Sequence, residues 1–230
     1  MNDVTMVITC CGRVDLLERT LSSFVRYNTY PIKKVIIVED SGVKQDFTKV
    51  RSIVPDAEII ENETNIGQIA SIDKAYARVD TDYIFHCEED WEFLNSEFIE
   101  TSFDILATNP KLFTVWLRGY HDTKNHAIMF DEKFDLPNGD YYYLMDGARK
   151  KHWCGFTFNP GLRRTSDCMI FHPYDKLEVR KDKNGMLVIG EIDLSIYYQE
   201  LGYRAAITSY KDGYVRHIGG KRHVPLPWQK

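Results

Sequence analysis

The chain has 230 residues, a net charge of −5, 43% apolar and 27% charged residues, which is the profile of a globular α/β-sized domain and not of a disordered or membrane-embedded chain. The negative balance and the lack of a long basic run speak against a nucleic-acid partner. Its five cysteines, Cys10, Cys11, Cys87, Cys154 and Cys168, include no Cys-x-x-Cys pair, so reduced thiols in a cytoplasmic protein are expected, without a disulfide framework or zinc knuckle.

Val4 to Thr9 is a short β-branched run that reads as a buried strand. After the turn Cys10-Cys11-Gly12-Arg13, Asp15 and Glu18 have the spacing of a capping box for a helix through about Tyr27, with Leu16, Leu17, Thr20, Leu21 and Phe24 as its buried face. Lys34 to Val38 is a second buried strand, closing a βαβ unit whose strands should run parallel. A weaker helix is expected over Asp46–Val54 and a third strand over Ala57–Ile60. Asn65-x-x-Gln68 has the pattern of a further N-cap, with Ile69, Ile72, Ala75, Tyr76 and Val79 as the stripe of the helix behind it.

The stretch Tyr83–Phe93 then starts as an apolar strand and breaks into Glu88, Glu89 and Asp90. Unpaired acids are too costly inside a buried strand, so they belong at its C-terminal end, where open α/β sheets bind ligands. Hard oxygen ligands there suit Mg²⁺ or Mn²⁺ shared with substrate phosphates; a solvated acidic turn is the competing reading. A helix from Asn95 to about Asn109 and a strand over Leu112–Leu117 follow. From Arg118 to about Lys151 the periodicity is lost, and a loop with a hairpin over the sheet's C-terminal edge is expected. Trp153–Asn159 reads as another strand. Glu191 opens a last helix that ends at Gly202, with Leu194, Tyr197, Tyr198 and Leu201 facing the core. No apolar run approaches the roughly 20 residues of a membrane helix, and no signal peptide is evident.

Four motifs in this order resemble those of the GT-A nucleotide-sugar glycosyltransferases, family 2 in particular. They are VTMVITCCGRVDLLERTLSSF; VIIVEDSG, similar to Val-Val-Asp-Asp-Gly-Ser; YIFHCEED after Asn65-Ile66-Gly67; and GEIDLSIYYQELGYR, similar to Glu-Asp-x-Asp-Leu-x-x-Arg-x-x-x-x-Gly-Tyr. The Glu-Glu-Asp form, with Phe98, Pro110 and Val115 downstream, also resembles Golgi N-acetylglucosaminyltransferases. Glu replaces the family's Asp at positions 39, 88 and 191, Gly190 replaces its first Glu, and Tyr197 replaces its Arg.

The resemblance implies an α/β GT-A (Rossmann-like) fold, a mostly parallel sheet flanked by helices with a C-terminal acceptor-side elaboration. A single domain, 1–230, would divide into a nucleotide-sugar-binding half, 1–117, and an acceptor-binding and catalytic half, 118–230. Thr9, Glu39 and Asp40 would meet the base and ribose of a nucleotide diphosphate sugar, and Glu88 and Glu89 its ribose and sugar. Asp90 and His217 would hold Mn²⁺ or Mg²⁺, and Glu191 would be the general base of an inverting transfer to a carbohydrate or other hydroxyl acceptor. Chemistry alone is consistent with this: a metal offsets charge on the departing diphosphate, and a carboxylate takes the acceptor's proton. A sugar nucleotidyltransferase, or a degenerate transferase that binds without turnover, is the alternative.

Overall fold

A computed structural model describes residues 2–124, 126–145, 155–177, 190–220 and 222. The first half runs β1 (Val4–Cys10), α1 (Val14–Tyr27), β2 (Lys34–Glu39), α2 (Thr48–Ile53), β3 (Glu58–Glu61), α3 (Gln68–Tyr76), β4 (Tyr83–Glu88), β5 (Trp91–Phe93) and α4 (Phe98–Thr108). It continues with β6 (Leu112–Trp116), β7 (Ile128–Asp135), β8 (Tyr141–Met145), β9 (Gly161–Arg164), α5 (Thr165–Met169), α6 (Glu191–Glu200), β10 (Arg204–Thr208) and β11 (Val215–His217). The main sheet has the order β3-β2-β1-β4-β9, parallel except for β9, which lies antiparallel to β4. A second sheet has the order β6-β10-β8-β7, and β5 and β11 form a two-stranded ribbon.

Every residue of β1 is buried, because helices cover both faces of the sheet and leave no solvent side for polar residues. Period-two alternation divides its side chains. Met6 and Ile8 join Leu17, Leu21, Phe24, Phe85, Phe93 and Phe98 on one face. Val7, Ile36 and Ile84 join Ile72, Tyr76, Phe113 and Tyr198 on the other. Truncating one of these phenylalanines to Ala costs about 3–5 kcal/mol. The parallel register is what builds the site: Cys10 lies beside Glu39, and Thr9 beside Glu88. Three strands therefore deliver their C-terminal residues to one edge.

The buried face of α1 is the expected one, but its capping box does not form. Arg13 is the N-cap, with no side-chain cap bond, and Asp15 pairs instead with Arg222, at 2.6 Å. Asn65 does not cap α3 either, whose N-cap is Gly67. Residues 155–159 form bends and irregular backbone in place of the expected strand, and Trp153 and Cys154 lie outside the described residues. On α6, Leu194 and Tyr198 are buried while Tyr197 is only partly so and Leu201 is 43% exposed. The helix stops as the sequence implies. Gly202 has φ of 78°, Gly202 N–H bonds the Gln199 carbonyl, and Tyr203 N–H bonds that of Tyr198, a pair of bonds that glycine's left-handed backbone permits. The expected hairpin is β7–β8, and it extends the second sheet through β8 and β10. Among the described residues no helix is long and apolar enough to cross a membrane.

Candidate active site

Glu39 ends β2 and is 1% exposed. Its Oε1 accepts the backbone N–H groups of Gly12 (2.9 Å) and Ser41 (2.8 Å). Its Oε2 is buried and has no partner among the described residues, as is Asn65 Oδ1 on the neighbouring loop. Buried acceptors are rarely left so, and two here suit a ligand carrying N–H or O–H donors. Asp40 is spent differently. Its carboxylate accepts from Ile66 N–H (2.9 Å), Gly67 N–H (2.8 Å) and Asn62 Nδ2 (2.8 Å), so it fastens the 62–67 loop at the entry to α3. Thr9 lies buried beside Val38, and its carbonyl accepts the N–H of Glu89 at 3.1 Å.

Glu88, the last residue of β4, is half-buried. It accepts from Gln68 Nε2 (2.8 Å) on one oxygen and Trp91 Nε1 (3.3 Å) on the other. Burial, then the charge of Glu191, then those of Asp90 and Glu89, push its carboxyl up to about 8. Glu89 is 4% exposed and meets the Arg13 guanidinium through Nε and Nη2, both at 2.8 Å. The remaining Arg13 nitrogen, Nη1, lies 2.9 Å from Asp90 Oδ2 and donates to the Arg222 carbonyl at 2.7 Å.

Asp90 is also 3.2 Å from His217 Nε2. Burial would raise its carboxyl, but the His217 bond and the Arg13 charge outweigh burial and hold it below the ordinary value. His217 reaches this point because β11 pairs antiparallel with β5, setting His217 opposite Trp91, and Ile218 N–H bonds the Asp90 carbonyl at 2.8 Å. Among the described residues no group of three or more His, Cys, Asp or Glu could hold a metal ion. Asp90 Oδ2 and His217 Nε2 are the atoms that could hold one with phosphate oxygens and water, and Arg13 Nη1 lies against the same oxygen.

Glu191 opens α6 with Gly190 as the N-cap. Its Oε1 takes a bond from Thr157 Oγ1 (3.0 Å) and one from Phe158 N–H (2.5 Å). The structure thus gathers Glu88, Glu89, Asp90 and His217 at the end of β4 through Arg13 and Trp91, with Glu39 at the end of β2 across β1, Asp40 turned into the loop, and Glu191 fixed by Thr157 and Phe158 at the start of α6. Arg13, Trp91, Thr157 and Gly219 were not singled out from sequence as site residues. Only Arg13 carried a local signal, as the cation next after a strand end where ligands bind.

The profile of Glycosyl transferase family 2 matches residues 5–169. The chain belongs to that family. No curated protein matches it in sequence. Among solved structures it is similar in fold to TarS 1–349 of S. aureus, with 15% identity, a TM-score of 0.61, and coverage of 92% of this chain and 59% of that one. The UDP-GlcNAc complex of TarS 1–349 matches with 15% identity and a TM-score of 0.61, over 96% of this chain and 62% of that one. The chain thus spans about three-fifths of the length of these neighbours.

Proposed function

We propose that the protein moves a sugar from a nucleoside diphosphate to a hydroxyl acceptor, with inversion, using a divalent ion on Asp90 and His217 and Glu191 as general base. The observation that carries this is the run of acids at the end of β4, where Asp90 Oδ2 meets His217 Nε2 at 3.2 Å, together with the Glu191 carboxylate at the start of α6, held on Oε1 by Thr157 and Phe158. Acids on both sides of one space are what transfer requires: one set toward the leaving diphosphate, one toward the incoming hydroxyl. Both donors to Glu191 among the described residues act on Oε1, and in this reading Oε2 takes the acceptor's proton.

Glu39 Oε2 and Asn65 Oδ1 offer acceptors to the base and ribose, with Thr9 nearby, and Glu88 and Glu89 line the way to the sugar. A divalent ion would offset the charge developing on the diphosphate. Residues 1–117 supply the donor side and 118–230 the acceptor side, with His217 reaching back across. A carbohydrate acceptor suits the aromatic hairpin, where Tyr120, Phe130 and Tyr143 pack ring to ring. The UDP-GlcNAc complex of a structure similar in fold supports a nucleotide-sugar donor.

The experiment is a panel of uridine and guanosine diphosphate sugars with Mn²⁺, followed by Glu191→Gln on the best donor. Release of nucleoside diphosphate is expected; pyrophosphate would indicate a nucleotidyltransferase, and binding without release a non-catalytic relative. Glu191→Gln should lower turnover by roughly 10²–10⁴-fold, as loss of a general base does, with donor affinity retained. Unchanged turnover in that variant would remove Glu191 from the base role.

A further inference from the structure

Arg163 is 0% exposed. On β9, it pairs with no carboxylate among the described residues; its guanidinium instead lies over the rings of Phe113 (5.6 Å), Phe158 (5.7 Å) and Phe156 (5.8 Å). A buried cation held only by ring faces and neutral oxygens is an expensive arrangement for a side chain that merely fills space, and a hydrophobic residue of similar volume would serve packing as well or better. Its hydrogen bonds show what the guanidinium holds. Nη2 donates to the Thr157 carbonyl and, at 3.4 Å, to that of Asn159. Nη1 donates to Tyr76 Oη at 3.0 Å, and that hydroxyl lies 3.1 Å from Nδ1 of His86, two residues before Glu88 on β4.

Thr157 is the residue whose hydroxyl donates to Glu191, and the next N–H along, that of Phe158, donates to the same oxygen. Residues 155–159 have no strand or helix ladder of their own to fix them. The fork of Arg163 supplies that fixation, gripping the segment's carbonyls from below while its upper groups grip the carboxylate.

We infer that Arg163 is a positioning residue for the transfer: through Thr157 and Phe158 it sets where Glu191 stands, and through Tyr76 and His86 it ties that position to the strand bearing Glu88. It touches neither donor nor acceptor. The inference rests on the base reading of Glu191 given above and deepens it.

The test is a double-mutant cycle with the donor that turns over fastest in the panel, on Arg163→Met, Glu191→Gln and the pair. Arg163→Met should lower kcat roughly 10- to 100-fold, the scale of a misplaced catalytic group, with donor KM unchanged. In the Glu191→Gln background it should cost nothing further, since there is no base left to misplace. Thr157→Val should show the same pattern and Thr157→Ser, which keeps the hydroxyl, should restore turnover.

If Arg163→Met does not fold, Arg163→Lys decides by the same criteria, because it keeps the charge without the fork. A multiplicative loss in the pair, or a rise in donor KM equal to the fall in kcat/KM, would overturn the positioning role and leave Glu191 as the base. Full turnover by Glu191→Gln alone would overturn both readings, and that result is read from the single variant.

Discussion

The guanidinium of Arg13 lies 2.9 Å from Asp90 while its other two nitrogens stay on Glu89 at 2.8 Å. One cation thus spans two of the three acids of the Glu-Glu-Asp run. Removing the charge at Asp90 leaves the Glu89 half of this clamp whole. Asp90→Asn should therefore keep the wild-type melting temperature within a few degrees while abolishing Mn²⁺-dependent binding of nucleoside diphosphate by calorimetry. Retained Mn²⁺-dependent affinity would move the metal away from Asp90.

Asp40 should behave as an anchor. Its three bonds to Ile66, Gly67 and Asn62 include two from backbone N–H groups, and each bond to a charged group contributes about 1.5–3 kcal/mol. Asp40→Ala should lower stability in urea by about 3 kcal/mol or more, with nucleotide binding weakened as the loop loosens. A variant of unchanged stability that nonetheless fails to bind nucleotide would return Asp40 to direct contact with the ligand.

Glu88 predicts a pH dependence. Folding lifts its carboxyl from 4.5 to about 8, so between those values the folded chain holds a proton that the unfolded chain releases. This contribution is complete below the unfolded value, and is lost as pH rises through the folded one. Glu88→Gln has no such proton. Without divalent ions, its melting temperature should match wild type near pH 5 and exceed it near pH 8.5. Parallel curves across that range would mean that Glu88 titrates normally.

Gly219 gives the prediction with the least room. A Cβ there would come within 2.4 Å of Asp90 Oδ2 and 3.0 Å of the His217 ring. Gly219→Ala should weaken binding of Mn²⁺ with nucleoside diphosphate at least tenfold, with little change in global melting. The same substitution at Gly220, where the Cβ meets nothing within 4 Å, strains only its own φ of 58° and should leave that affinity nearly intact.

Much of the acidic edge was legible in sequence because parallel strands align their ends. Once β1, β2 and β4 are recognised as buried runs, Glu39, Glu88, Glu89 and Asp90 must gather at one edge. The helix caps misled because tertiary partners took over local roles: Arg222 draws Asp15 from the cap, and Asp40, just past β2, claims the N–H groups ahead of α3. His217 joins Asp90 across 127 positions through a ribbon of three-residue strands, too short for any periodicity to register. Thr157 was invisible for a similar reason, since it holds Glu191 from a segment without regular structure.

Trp91 stands within this arrangement. Its indole N–H bonds Glu88, His217 meets its ring edge-on at 5.2 Å, and the Arg118 guanidinium lies over it at 4.9 Å. A chromophore is thereby tied to the Glu88 carboxyl and to the imidazole beside Asp90. A change of charge at Glu88 or His217 would therefore act on the indole through direct contacts. With the other three tryptophans replaced, Trp91 emission would report changes at this acidic edge without a label.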